Sequence, residues 1–187
     1  RKLAGIAMLV AAAPLLQSCF PLAVTGVGAA AFMATDRRTS GTYIEDESIE
    51  WKAVARRRED SRGAYVNATS YNRRVLLTGQ APTEEEKARI ESVVRGIPNV
   101  TDVVNEIRVG TVSTLTSRGN DALITSNVKA RMVNSARFSP NHVKVVTENG
   151  VVYLMGLVTP QEGDAAAEVA RTTQGASSVV KVFEYLK

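Results

Sequence analysis

Apolar and polar positions alternate in two matching stretches of the chain. Residues 66–79 (VNATSYNRRVLLTG) and residues 143–156 (VKVVTENGVVYLMG) align at a spacing of 77 residues. Each stretch has the period of two short strands on either side of a turn, and Asn149-Gly150 is a strong hairpin signal in the second. The chain therefore contains an internal repeat with a β-hairpin at its centre.

A helix is predicted after each hairpin. Thr83 and Thr159 each stand three residues before a glutamate, Glu86 or Glu162, which is the spacing of a capping box. Apolar or small side chains then recur on one helix face in each copy: Ile90, Val93, Val94 and Ile97 in the first, and Ala166, Val169, Ala170 and Thr173 in the second. The two copies therefore share a helix start signal and a core-facing stripe.

Each repeat also begins with a further helix and closes with an alternating strand. We place the helices at residues 48–58 and 121–136, and the strands at residues 100–108 and 179–186. The repeat unit is αββαβ, and the fold class is α+β. In each copy we expect a three-stranded mixed sheet covered on one face by two helices. Trp51, in the first of these helices, is expected in the core or between the domains rather than stacked on a ligand.

The first residues have the layout of a secretory signal. Arg1-Lys2 precedes an apolar run that ends at Leu16, which is too short to span a hydrocarbon core of about 30 Å. We therefore assign residues 1–18 to a signal peptide and the Ala/Gly-rich residues 19–45 to a tether. The remaining assignments are a first domain at 46–109, a linker at 110–119 and a second domain at 120–187.

The amino-acid composition excludes most kinds of reactive site. One Cys and one His exclude an internal disulfide framework and the usual zinc clusters. The 23 Lys+Arg against 19 Asp+Glu form no dense basic stripe, so we expect no nucleic-acid partner. His142 is expected in a loop, with no nucleophile or second ligand near it in the sequence. We predict no enzyme, no catalytic residues, no metal and no cofactor.

The αββαβ unit, with its order of hairpin, glycine and capped helix, resembles the BON domain. Leu16-Gln17-Ser18-Cys19 resembles the lipobox of bacterial lipoproteins, although a plain signal peptide with an incidental cysteine is the alternative. Two BON copies behind a lipobox resemble the dual-BON-domain outer-membrane lipoproteins of Gram-negative bacteria, of the division- and outer-membrane-stress-associated lipid-binding type. The resemblance is carried by residues 34–38, 75–80, 105–108, 120–121, 143–150 and 154–159.

This resemblance implies a location and a function. Cys19 would be the site of lipid attachment, with cleavage after Ser18, and Phe20 in place of Asp favours the outer membrane, on its periplasmic side. The second domain would bind anionic phospholipid such as phosphatidylglycerol and support outer-membrane integrity, including at division sites. The alternative is a protein-binding adaptor for the outer-membrane protein assembly machinery.

The helix at residues 121–136 has two apolar faces. We expect one face to pack on the sheet, and it consists of Ile124, Val128, Met132 and Ala136. On the other side of the helix lie Leu123, Ala130 and Val133, with Lys129 at one border of this arc and Arg131 beyond the other. This second face either meets the first domain or enters a bilayer interface, where basic neighbours reach phosphate groups.

The family resemblance favours the bilayer for this second face. It implies that the first helix of the second domain makes the lipid contact, with a Trp at the position of Leu123. Leucine keeps the apolar character but loses the interfacial preference of an indole. The predicted membrane-binding residues are Leu123, Lys129, Ala130, Arg131 and Val133.

Overall fold

The computed structural model describes residues 36–60 and 63–186. The predicted signal peptide, Cys19 and the tether as far as residue 35 lie outside the described residues. Residues from Thr35 onward belong to one compact unit that holds both repeats. Within the part that the structure describes, no helix is both long and apolar enough to cross a bilayer.

Each repeat has the predicted order αββαβ, which confirms the α+β fold class. The elements of the first repeat are α1 (Ser40–Asp60), β1 (Tyr65–Tyr71), β2 (Arg74–Ala81), α2 (Glu84–Arg95) and β3 (Asp102–Val109). Those of the second are α3 (Leu115–Ser135), β4 (Val143–Glu148), β5 (Val151–Val158), α4 (Pro160–Arg171) and β6 (Ser178–Tyr185). A short 3₁₀ turn, Pro140–His142, precedes β4.

Both sheets are mixed and have the same topology. In the order β1-β2-β3, β2 is antiparallel to β1 and parallel to β3, and the order β4-β5-β6 repeats this arrangement. The repeated glycines occupy the same register position, because Gly79 pairs with Val66 and Gly156 pairs with Val143. The spacing of 77 residues found in the sequence is therefore a repeated strand register.

Two helices cover one face of each sheet and bury a core there. In the first domain this core includes Ile49, Val75, Leu77, Ile90, Val94 and Ile107. In the second it includes Ile124, Val128, Met132, Val152, Leu154, Ala166 and Phe183. The predicted helix stripes therefore face the sheets, and alternate residues of β2 and β5 complete the two cores.

The two sheets cover each other through their remaining faces. Tyr71 and Leu76 of the first domain form one buried cluster with Tyr153, Met155 and other residues of the second. These residues alternate along β2 and β5 with the core residues, so both central strands are buried on both faces. The four helices consequently lie in two outer layers, with α1 and α2 on one side and α3 and α4 on the other.

Both first helices begin earlier than predicted. α1 begins at Ser40 rather than residue 48, and α3 begins at Leu115 rather than residue 121. A threonine hydroxyl accepts a backbone N–H at each start: Thr39 from Thr42, and Thr114 from Ser117. Part of the predicted tether and part of the predicted linker are therefore helical.

Two predicted burial assignments are wrong. Trp51 is 73% exposed, because it lies on the side of α1 opposite the buried Ile49 and Ala53. Ala136 is exposed because α3 ends at Ser135 and Ala136 turns the chain with a left-handed φ of 52°. Neither residue contributes to a core.

Candidate functional site

One side of α3 is apolar and uncovered. Leu123 and Val133 are 64% and 63% exposed, and they project away from the buried face formed by Ile124, Val128 and Met132. Leu115 is also exposed and shares the direction of Val133, because eighteen residues make five whole turns. We call Leu115, Leu123, Ala130 and Val133 the outer face of α3.

The first domain does not cover the outer face of α3. The two domains meet through their sheets, in the cluster that contains Leu76 and Tyr153. The alternative in which Leu123 and Val133 pack against the first domain is therefore excluded. The structure leaves this apolar surface open to solvent or to a partner.

The two basic residues predicted beside this face differ in their surroundings. Lys129 is exposed and, with Val133, lines a groove of about 410 Å³ whose opposite wall includes Tyr43 and Glu47 of α1. The Arg131 guanidinium instead donates hydrogen bonds to acceptors at the end of α4: the Val169 carbonyl at 3.2 Å, the Thr173 hydroxyl at 2.8 Å and the Thr172 hydroxyl at 2.9 Å. Arg131 thus joins α3 to α4, a role that its position in the sequence did not indicate.

A second groove, of about 500 Å³, runs along the other flank of α3. Leu123 and Ile124 line it together with Asp121 and the amide residues Asn120, Asn127 and Gln174. Gln174 was not predicted from the sequence, because it approaches α3 only through the packing of α4. The outer face of α3 is therefore an apolar ridge between a groove lined in part by Lys129 and a groove lined in part by amides and Asp121.

The segment Asp36-Arg37-Arg38 holds both domains at the point where the described chain begins. Arg37 makes a bidentate pair with Glu162 of the second domain, at 2.6 and 2.8 Å, and also donates to the Leu157 carbonyl at 2.9 Å. Arg38 reaches Asp46 of the first domain at 2.9 Å. We call Asp36, Arg37 and Arg38 the clasp, because its two arginines bind different domains.

Arg38 is the more buried arginine of the clasp. It pairs with Asp36 and Asp46, and its guanidinium lies 4.0 Å from the ring centre of Tyr71 and 5.1 Å from that of Tyr43. Burial opposes both charges, but the mutual hydrogen bonds outweigh it, so the pKa of Arg38 is raised and the pKa of Asp36 is lowered. The ion pair therefore stays charged over the physiological pH range.

Glu162 makes the clasp sensitive to acid. The hydrogen bonds from Arg37 lower the pKa of this carboxyl from 4.5 to about 2 in the folded protein. Its contribution to stability is therefore complete above about pH 4.5 and is lost as the pH falls towards 2. We expect Glu162→Gln to be less stable than wild type at neutral pH, and the difference to shrink across this window.

Urea unfolding at several pH values between 7 and about 2 measures this effect. Glu168→Gln is the matched control, because Glu168 forms an exposed pair with Arg171 on the same helix and should cost little. A stability difference between wild type and Glu162→Gln that stays constant down to pH 2 would contradict the prediction.

The described residues contain no arrangement suited to metal binding. Among residues 36–60 and 63–186, no group of three or more His, Cys, Asp or Glu side chains is placed to hold a metal ion. His142 lies in the 3₁₀ turn before β4, with its Nδ1 3.7 Å from Glu162. This charged neighbour is the same carboxylate that Arg37 of the clasp binds.

The fold and the site define a class of protein: paired small domains that present exposed helix faces. Comparison with known proteins places the chain within that class. The BON domain family matches residues 52–111 and residues 120–187, and the chain belongs to this family.

Relatives of known name agree with this assignment. The outer membrane lipoprotein DolP of Haemophilus influenzae is 39% identical over 184 residues, covering 97% of this chain and 95% of that protein. The 21 kDa hemolysin of Actinobacillus pleuropneumoniae is 36% identical, covering 81% and 80%. The osmotically-inducible protein Y of Escherichia coli is 26% identical, covering 74% and 72%. The chain is therefore an outer-membrane lipoprotein of the DolP type with two BON domains.

Proposed function

We propose that acyl chains on Cys19 hold this lipoprotein in the outer membrane, and that its second domain binds anionic phospholipid through the outer face of α3. This contact would support outer-membrane integrity, including at division sites, by a binding role without catalysis. The observation that carries the proposal is the exposure of Leu123 and Val133 on the side of α3 away from the core, with Lys129 beside them.

Each part of the surface suits a bilayer interface. The leucine and valine side chains can enter the boundary between headgroups and acyl chains, while Lys129 reaches a phosphate. One basic residue near an anionic surface contributes about 1 kcal/mol, so the contact is weak by itself. The lipid anchor compensates for this low affinity, because it keeps the outer face of α3 permanently close to the membrane.

Flotation with lipid vesicles tests the proposal. The region from residue 36 onward belongs to one compact unit and should float with phosphatidylcholine vesicles only when phosphatidylglycerol is included. Leu123→Asp should weaken this binding by at least roughly tenfold because a charge replaces the most central apolar side chain. Lys129→Ala should weaken it roughly fivefold.

Matched variants separate the proposed face from general surface effects. Val112→Asp adds a charge at another exposed apolar side chain, and Arg171→Ala removes an exposed positive charge from α4. Neither control should change flotation by more than about twofold. Binding that Leu123→Asp and Lys129→Ala leave unchanged would refute the lipid face and leave the protein-binding adaptor as the better explanation.

A further inference from the structure

The first helix also carries an exposed apolar face. Trp51 is 73% exposed and Ile44 is 66% exposed. They are seven residues apart and so lie within about 20° of each other around the helix. They project directly away from Ile49 and Ala53, which are 0% and 3% exposed in the first core. We call Ile44 and Trp51 the outer face of α1.

This face is separate from the outer face of α3. The two helices cover different sheets, and the groove lined by Glu47 and Lys129 lies between them. The charges beside the two faces also differ. Glu47 and Lys52 are both exposed beside the outer face of α1, whereas the outer face of α3 has Lys129 at its border. The two faces therefore suit surfaces of different charge.

We propose that the outer face of α1 is a second membrane contact, which places Trp51 in the headgroup region of the bilayer. The indole ring is the side chain with the strongest preference for that region, because it is apolar and yet carries an N–H donor. The charges of Glu47 and Lys52 offset each other, so this side of α1 has no net attraction to anionic lipid and fits zwitterionic lipid. The proposal rests on the lipid anchor of the proposed function, but not on the lipid contact of α3.

The position of the clasp lets either face reach the membrane. Sixteen residues, 20–35, separate Cys19 from the clasp, so the distance between the lipid anchor and the clasp is at most roughly 60 Å. The clasp binds both domains, so the described chain begins where the two domains meet. The lipoprotein can therefore rest on α3 where anionic lipid is abundant and on α1 where it is scarce.

Trp51 is the single tryptophan of the chain, so its fluorescence reports on this face alone. The test uses the full lipidated chain in phosphatidylcholine vesicles without anionic lipid, some with brominated acyl chains. We expect a blue-shifted emission that brominated lipid quenches. Leu123→Asp should leave the quenching intact, whereas Ile44→Asp should reduce it; Val112→Asp is the matched control for an added surface charge.

Three results would overturn the proposal. The first is emission typical of an indole in water, without quenching. The second is a blue shift that brominated lipid does not quench and that grows with protein concentration, because it indicates protein contact. The third is quenching that requires phosphatidylglycerol and disappears in Leu123→Asp. Circular dichroism of each variant establishes that it is folded, and failure of the α3 contact is measured separately by flotation.

Discussion

Asp46→Ala will lower the free energy of unfolding by roughly 3–5 kcal/mol. The Asp46 carboxylate is 2% exposed and accepts four hydrogen bonds: from the Ser70 hydroxyl, from the backbone N–H groups of Asn72 and Arg73, and from Arg38. Alanine leaves those buried donors without this acceptor and removes one of the two carboxylates that pair with Arg38. Urea unfolding followed by circular dichroism measures the loss.

Two further variants show whether the carboxylate itself is responsible. Asp46→Asn keeps one acceptor oxygen and should lose less stability than alanine. Glu47→Ala changes the next residue of α1, which is exposed, and should stay within about 0.5 kcal/mol of wild type. A loss below about 1 kcal/mol in Asp46→Ala would show that the four donors find other acceptors.

The second repeat has the same device in Asp121. This buried carboxylate accepts the backbone N–H groups of Asn149 and Gly150, both at 2.8 Å. In each domain, then, an aspartate on the first helix fixes the turn of the following hairpin. The stability lost in Asp46→Ala therefore measures a feature that both repeats share.

Gly79→Ala will destabilise the first domain by at least about 3 kcal/mol, from two causes that add. Gly79 has a φ of +121°, a conformation that alanine rarely adopts. A Cβ atom at this position would also lie 2.0 Å from the Tyr65 carbonyl oxygen, inside the β1–β2 pairing. The two strands would have to separate at the register position that the repeat shares.

Thermal unfolding checks this prediction, with Gly119→Ala as the matched control. Gly119 lies in α3, and a methyl group added there would have nothing within 4 Å of it, so alanine should stabilise by roughly 0.5–1 kcal/mol. Equal melting temperatures for Gly79→Ala and wild type would mean that β1 relaxes around the new side chain without cost.

Local signals made the hairpins and the two capped helices predictable. Asn149-Gly150 fixes a turn by its own backbone preference, and Thr159 with Glu162 forms the complete capping box that the spacing predicted. In the first copy, Thr83 accepts the Glu86 N–H while the Glu86 carboxylate pairs with Arg89. Each of these contacts joins residues that are neighbours in the chain.

The structural features that the sequence did not predict depend on contacts between segments that are distant in the chain. Burial of both sheet faces had one signal in the sequence, the unbroken apolar run 151–155. A strand with one solvent-exposed face would instead alternate apolar and polar residues. The partners of Arg131 lie 38 to 42 residues away. Trp51 was expected in the core or between the domains, whereas the helical period set by Ile49 and Ala53 places it on the exposed side of α1.

The back-to-back packing of the sheets makes the folded state independent of dilution. A single repeat would leave the side chains around Leu76 or Tyr153 uncovered, and a separate molecule would have to supply their cover. Joining two copies in one polypeptide makes that association intramolecular. The two domains of each molecule therefore stay packed together even when few molecules are spread over a large bilayer.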